Sequence, residues 1–112
     1  MTTITASALQ PGMFLAAATA IFCMPNAVCQ ITSAVFTNTD TSVETITVYL
    51  VRSGGAAGPA NILISAQPLA PGQAYIAREL SGRNLAAGDY LAGFATNASK
   101  VIAVIDGITI AA

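Results

Sequence analysis

Residues Thr45–Val51 read TITVYLV. Ile46, Val48 and Leu50 alternate with Thr45, Thr47 and Tyr49. A backbone that repeats every two residues puts the three aliphatics on one face and the hydroxyl-bearing residues on the other. β-branched and aromatic side chains also suit a pleated, half-buried surface. The stretch therefore predicts a strand with one buried face. A second stretch, Lys100–Ile110 (KVIAVIDGITI), is apolar on both faces until Asp106-Gly107. It predicts a strand buried on both sides, with a bulge or bend at the glycine.

Outward from these two strands, turn-forming residues divide the rest of the chain. Val28–Thr37 ends in the cluster NTDTS, and Thr45–Arg52 ends in the glycine-rich SGGAAGPAN. Ile62–Gln67 stops at Pro68, and PLAPG leads into Gln73–Leu80. SGR and AAGD flank Leu85, Tyr90–Thr96 follows, and Asn97–Ser99 turns the chain into the last strand. Turn signals at intervals of about 8–12 residues predict an all-β antiparallel sandwich or small barrel rather than βαβ units. Leu15–Ala20 is the one segment where alanine content favours a helical turn. Between Pro11 and Pro25 it reads instead as extended chain. Residues 1–12 (MTTITASALQPG) carry no charged side chain and read as an arm, free or laid along a partner. The predicted organisation is an N-terminal arm over residues 1–20 and one β-sandwich domain over 21–112. No internal repeat interrupts it.

Composition narrows the function. Of 112 residues, 54% are hydrophobic and only 8% charged, with five acids against four bases. Arg52, Arg78, Arg83 and Lys100 are too few and too scattered for a nucleic-acid-binding patch. With no histidine, the chain lacks the commonest general base and metal ligand. Two cysteines cannot complete a structural zinc site, so no metal or cofactor is expected. The longest apolar run, Met13–Met24, falls short of the roughly 20 residues a spanning helix needs. No Lys or Arg precedes Arg52, so a secretory signal is not expected. A soluble monomer presents roughly 25–35% charged residues on its surface. This chain cannot, and much of its exterior is expected to be covered by copies of itself or by a partner.

No group of residues predicts catalysis. Asp40 and Asp89 sit in turns, where an aspartate bonds nearby backbone N–H groups. Nothing in their spacing, or in that of Glu44, Glu79 and Asp106, makes two carboxylates converge as a glycosidase needs. The glycine-rich loop lacks the Lys-Ser/Thr ending of a phosphate loop. The seven serines (7, 33, 42, 53, 65, 81 and 99) have no histidine to activate them. Cys23 and Cys29 flank MPNAV: a hairpin there would oppose their sulfurs, whereas a kink between two sheets leaves two buried thiols. Tyr49 and Tyr75 would be sugar-stacking residues if exposed, and packing residues otherwise.

The chain as a whole resembles the small β-sandwich capsid decoration (cement) proteins of tailed bacteriophages. The resemblance runs over residues 20–110. It rests on Pro25 after Phe22, the Asn-Thr turn before Thr45-Ile46-Thr47-Val48-Tyr49-Leu50, and the glycine-rich loop after Arg52-Ser53. Leu69-Ala70-Pro71-Gly72-Gln73, Leu85-Ala86-Ala87-Gly88-Asp89 and the closing Ile105-Asp106-Gly107-Ile108 complete it. It implies a jelly-roll-like sandwich that forms homo-oligomers, dimers or trimers, and binds the major capsid protein lattice on the outer surface of the virion. It assigns no catalytic residue, cofactor or metal, and no nucleic-acid or membrane partner. The same sandwich also serves as a tail, fibre or baseplate module in host attachment, which is the alternative reading. A carbohydrate-binding module is a more distant one.

Overall fold

The computed structural model describes residues 3–111. Its elements are β1 (Thr3–Phe14), β2 (Ala20–Cys23), β3 (Val28–Asn38), β4 (Glu44–Val51), a 3-10 turn at Pro59–Asn61, β5 (Ile62–Leu69), β6 (Ala74–Ile76), β7 (Asn84–Leu85), β8 (Tyr90–Ala95) and β9 (Val101–Ala111). They form two antiparallel sheets packed together. One has the order β1-β9-β3-β6, with β7 also paired to β3, and the other has the order β2-β8-β4-β5. The all-β expectation holds, and both decisive stretches are central strands.

In β4, Ile46, Val48 and Leu50 lie in the core, as the alternation predicts. They meet Ile31, Ala34 and Phe36 of β3 and Ala103 and Ile105 of β9 in a single hydrophobic cluster. Phe22 and Phe36 pack edge to face with ring centroids 6.0 Å apart, joining β2 of one sheet to β3 of the other. Full burial of each large aliphatic or aromatic side chain contributes roughly 1.5–3 kcal/mol. Two glycines permit close strand approach: a Cβ on Gly93 would strike the Thr47 carbonyl, and one on Gly107 the Gln30 carbonyl.

The last strand departs from expectation. Val101, Ala103 and Ile105 are fully buried, but Ile102, Val104, Ile108 and Ile110 on the opposite face are only half-buried. No layer of the chain covers that face among the described residues. The irregularity expected at Gly107 is present, but the extra residue is Thr32 on β3, between the pairs Ile31–Gly107 and Ser33–Asp106. The predicted strand at Gln73–Leu80 is cut to Ala74–Ile76. Ala77–Ser81 turns instead, with Leu80 N donating to Ala77 O and Ser81 N to Arg78 O. Pro68, read as a strand end, lies inside β5. It is tolerated there because β5 is an edge strand, where a missing N–H breaks no ladder bond.

The arm expected over residues 1–20 is also different. Met1 and Thr2 lie outside the described residues, but Thr3–Phe14 is a full strand paired antiparallel with β9, from Thr3–Ala111 to Phe14–Ile102. The alternation of Ile4, Ala6 and Ala8 with Thr5 and Ser7 suits a strand, and β9 offers it an edge. Two register shifts around Gln10 and Pro11 absorb the proline. Ala16–Thr19 crosses to the second sheet with a bend at Ala17-Ala18 and no helical turn.

Strand lengths shape the molecule. β1, β3 and β9 have 12, 11 and 11 residues, roughly 36–40 Å at about 3.3 Å per residue. The strands opposite have only 4–8 residues. The first sheet therefore overhangs the second, and the molecule measures 49 × 26 × 19 Å.

Candidate interaction surface

The outer face of the five-stranded sheet has no layer packed on it among the described residues. Residues paired directly across strands share a face, so the register gives its composition. Phe14, Ile102, Thr37 and Ala74 form one row, and Val104, Val35 and Ile76 the next. At the other end, Ile110 lies between Ile4 and Val28, and Ile108 between Ala6 and Gln30. Ala8, Asp106 and Ser33 separate the two apolar patches, and Asp106 is the one charge these rows contain. Ile76 is 67% exposed and Ile4 63%. The sequence showed the apolar residues of both faces but not that one face stays open. That depended on the second sheet lying on the other side and on no third layer being present among the described residues.

Most of the carboxylates stand apart, but Asp40 and Glu44 lie within hydrogen-bond reach of one another. Asp89 is buried and closes the mouth of the glycine-rich loop. Its carboxylate accepts bonds from Ser53 N (2.8 Å), Ala86 N (2.9 Å) and Arg52 Nη1 (2.9 Å). Burial opposes its charge, but the Ala86 N–H, Arg52 and the Ser53 N–H outweigh that and hold its pKa below the usual value. Asp40 accepts a bond from Thr41 N at 2.7 Å, which lowers its pKa. Both are turn-forming aspartates, as their positions predicted. Glu44 is fully buried, and its two oxygens accept from Asn97 N (2.9 Å) and Asn97 Nδ2 (2.8 Å). Asn38, also fully buried, donates to Ser42 O, Leu69 O and Ala70 O and accepts from Asp40 N. Sequence reasoning missed both of these staples. The NTDTS cluster signalled a turn at Asn38, but nothing local to Glu44 points to Asn97.

Cys23 and Cys29 are buried free thiols, one on each sheet. Burial, with Cys29 nearby, pushes the Cys23 pKa up to about 12. Burial also raises that of Cys29. Neither is poised as a nucleophile, because the thiolate is the reactive form. Tyr75 is half-buried against the core and donates its hydroxyl to Glu79, while Tyr49 is half-buried on β4. They lie on different sheets and make no common stacking platform. The glycine-rich loop, read as flexible, is fastened: Tyr90 Oη donates to Gly55 O, Asn61 Nδ2 to Ala56 O, and Gly58 N to Asn61 Oδ1. Among the described residues there is no pocket and no metal-ligating cluster, and no helix is long and apolar enough to cross a membrane.

Comparison with protein-family models, with curated proteins and with solved structures found no match.

Proposed function

We propose that this chain is a structural virion component, a decoration or cement protein that binds the major capsid protein lattice on the outside of a bacteriophage head. The observation that carries the reading is the uncovered, almost uncharged apolar outer face of the five-stranded sheet. The resemblance over residues 20–110 adds to it. Strand order supports a jelly-roll wiring: the chain changes sheet at each step from β1 to β4, runs β4 to β5 within one sheet, and returns through β6 and β7 to β8 and β9. Jelly rolls recur in viral capsid domains. The role is mechanical rather than catalytic. The protein would bridge neighbouring capsid subunits and add buried area that resists internal pressure. Attachment at several points of a lattice raises retention by roughly 10²–10⁴ over one contact.

The test is co-sedimentation of purified protein with undecorated shells of the cognate major capsid protein. Saturation at hundreds of copies per shell is expected. Ile76→Asp, on the exposed face, is expected to fold normally and lose retention. Failure of the wild-type protein to bind shells overturns the reading, as does full retention of the Ile76→Asp variant. Binding only at the tens of copies of a tail or fibre position would favour the host-attachment module.

A further inference from the structure

The geometry points to a specific self-association: two copies pair antiparallel through the free edge of β1, at Ile4–Ala8, about a twofold axis at Ala6. This gives a geometry to the self-association that the scarcity of charge leads one to expect, and it does not depend on attachment to shells. β1 is an edge strand of its sheet. Leu15 N donates to Val101 O, so Val101 directs its backbone groups toward β1. β9 is regular throughout its pairing with β1, because the extra residues at both shifts belong to β1. Alternation then turns residues 103, 105, 107 and 109 toward β1, and 102, 104, 106, 108 and 110 toward β3. The Thr32 hydroxyl of β3 meets Asp106 O, as this phase requires. Ser7 and Thr5 lie opposite Gly107 and Thr109, so their backbone groups bond β9. Those of Ile4, Ala6 and Ala8 face outward.

Edge strands are usually blunted by charge, proline or bulges. Here Pro11 and the bulges protect only the far half of β1. Ile4–Ala8 is regular, and no charged side chain occurs before Asp40. β2 reaches β1 at Leu9 and Gln10, where Gln10 Nε2 donates to Phe22 O at 2.6 Å and Cys23 Sγ to Leu9 O at 3.8 Å. The edge from Ile4 to Ala8 lies beyond those contacts.

A second copy fits this edge because the segment is complementary to itself. Centred on Ala6, antiparallel pairing sets Ile4 opposite Ala8, Ala6 opposite Ala6, and Thr5 opposite Ser7. Every outward-facing N–H and C=O of the three residues finds a partner. Ile4, Ala6 and Ala8 stay on the apolar outer face and join the patch around Ile108 and Ile110 to its twofold mate. Thr5 and Ser7 meet hydroxyl to hydroxyl on the other face. With no charged side chain in the segment, like charges do not oppose the pairing. Five paired residues per copy bury less than the roughly 800 Å² per partner of a standard interface, so a weak dimer that dissociates on dilution is expected.

The experiment is sedimentation velocity of the purified full chain over a concentration series. A monomer–dimer equilibrium is expected. Ala6→Pro removes an N–H that β9 does not use, so this variant is expected to keep its circular dichroism spectrum and melting transition but remain monomeric. Independently, Ala6→Cys is expected to form a covalent dimer on mild oxidation, since only this register brings residue 6 against itself within disulfide reach. A wild-type monomer at all concentrations overturns the inference, as does a trimer as the smallest assembly. So does a dimer that survives a folded Ala6→Pro substitution, and so does Ala6→Cys that fails to cross-link. Shell binding by a protein that fails these tests leaves the capsid reading standing, while a dimer that ignores shells overturns only the capsid reading.

Discussion

At the scale of single residues, Asp89 shows which polar contacts matter. Arg52 is its ion-pair partner at 2.9 Å, but the arginine side chain is 64% exposed, and such pairs contribute little. The Ser53 and Ala86 N–H groups have a stronger claim, because a donor left without its acceptor costs about 1–3 kcal/mol. Asp89→Asn is therefore expected to destabilise the protein by about that amount, and Arg52→Ala by less than about 1 kcal/mol. Chemical denaturation at neutral pH checks both. The pH dependence has a fixed sign. The Asp89 pKa is lowered on folding, so its contribution is whole above the unfolded value and is lost as pH falls through the lower folded value. The gap in stability between wild type and Asp89→Asn should begin to narrow below about pH 4 and close only below the lowered folded value. Unchanged separation there would show that the carboxylate charge is not what the loop uses.

The cysteines carry the opposite sign. Cys23 is raised from 9.0 to about 12, so the fold favours its protonated form. That contribution is whole below 9.0 and is lost as pH rises through 9.0 toward about 12. Replacing both cysteines with alanine is expected to cost about 1–3 kcal/mol of packing at neutral pH and to flatten the alkaline loss of stability. Folded wild-type protein should resist alkylating reagents until it is denatured. Rapid labelling of the native protein would contradict the burial of both thiols.

At the scale of elements, β9 separates what periodicity reveals from what it leaves open. Ile105 and Ile108 read alike in the sequence, both aliphatic in an apolar run. In the fold, Ile105 is fully buried between the sheets and Ile108 lies half-buried on the outer face. Ile105→Asp would put an unpaired charge in the core and is expected to abolish the melting transition. Ile108→Asp is expected to melt within a few degrees of wild type and to impair association instead. If both variants unfolded, the outer face would be structurally covered. Legibility follows the same division. The strands β3, β4, β5, β8 and β9, the core residues of β4 and the turn aspartates depend on local pattern and were readable. The pairing of β1 with β9, Glu44 with Asn97, and the open face depend on contacts between distant segments, which no local pattern encodes. β1 was obscured further by Pro11-Gly12, which reads as a strand breaker where bulges accommodate it.

At the scale of the whole molecule, the scarcity of charge sets the character of every contact the protein can make. Net charge is −1, and Asp106 stands alone among the strand-paired residues of the outer face. Charge-steered association weakens steeply as salt shortens the screening length from roughly 14 Å at 0.05 M to about 3 Å at 1 M. Apolar burial and strand pairing carry no such dependence, and sulfate, excluded from protein surface, strengthens burial. Self-association and shell retention are therefore expected to hold or increase as sodium chloride is raised from about 0.05 to 1 M, and to increase further in sodium sulfate. Sedimentation across the two salt series is the measurement. A tenfold or greater loss of binding in sodium chloride would mean that the few charges, Lys100, Arg78 and Arg83 among them, carry the interaction. The outer sheet face would then not be the surface that binds.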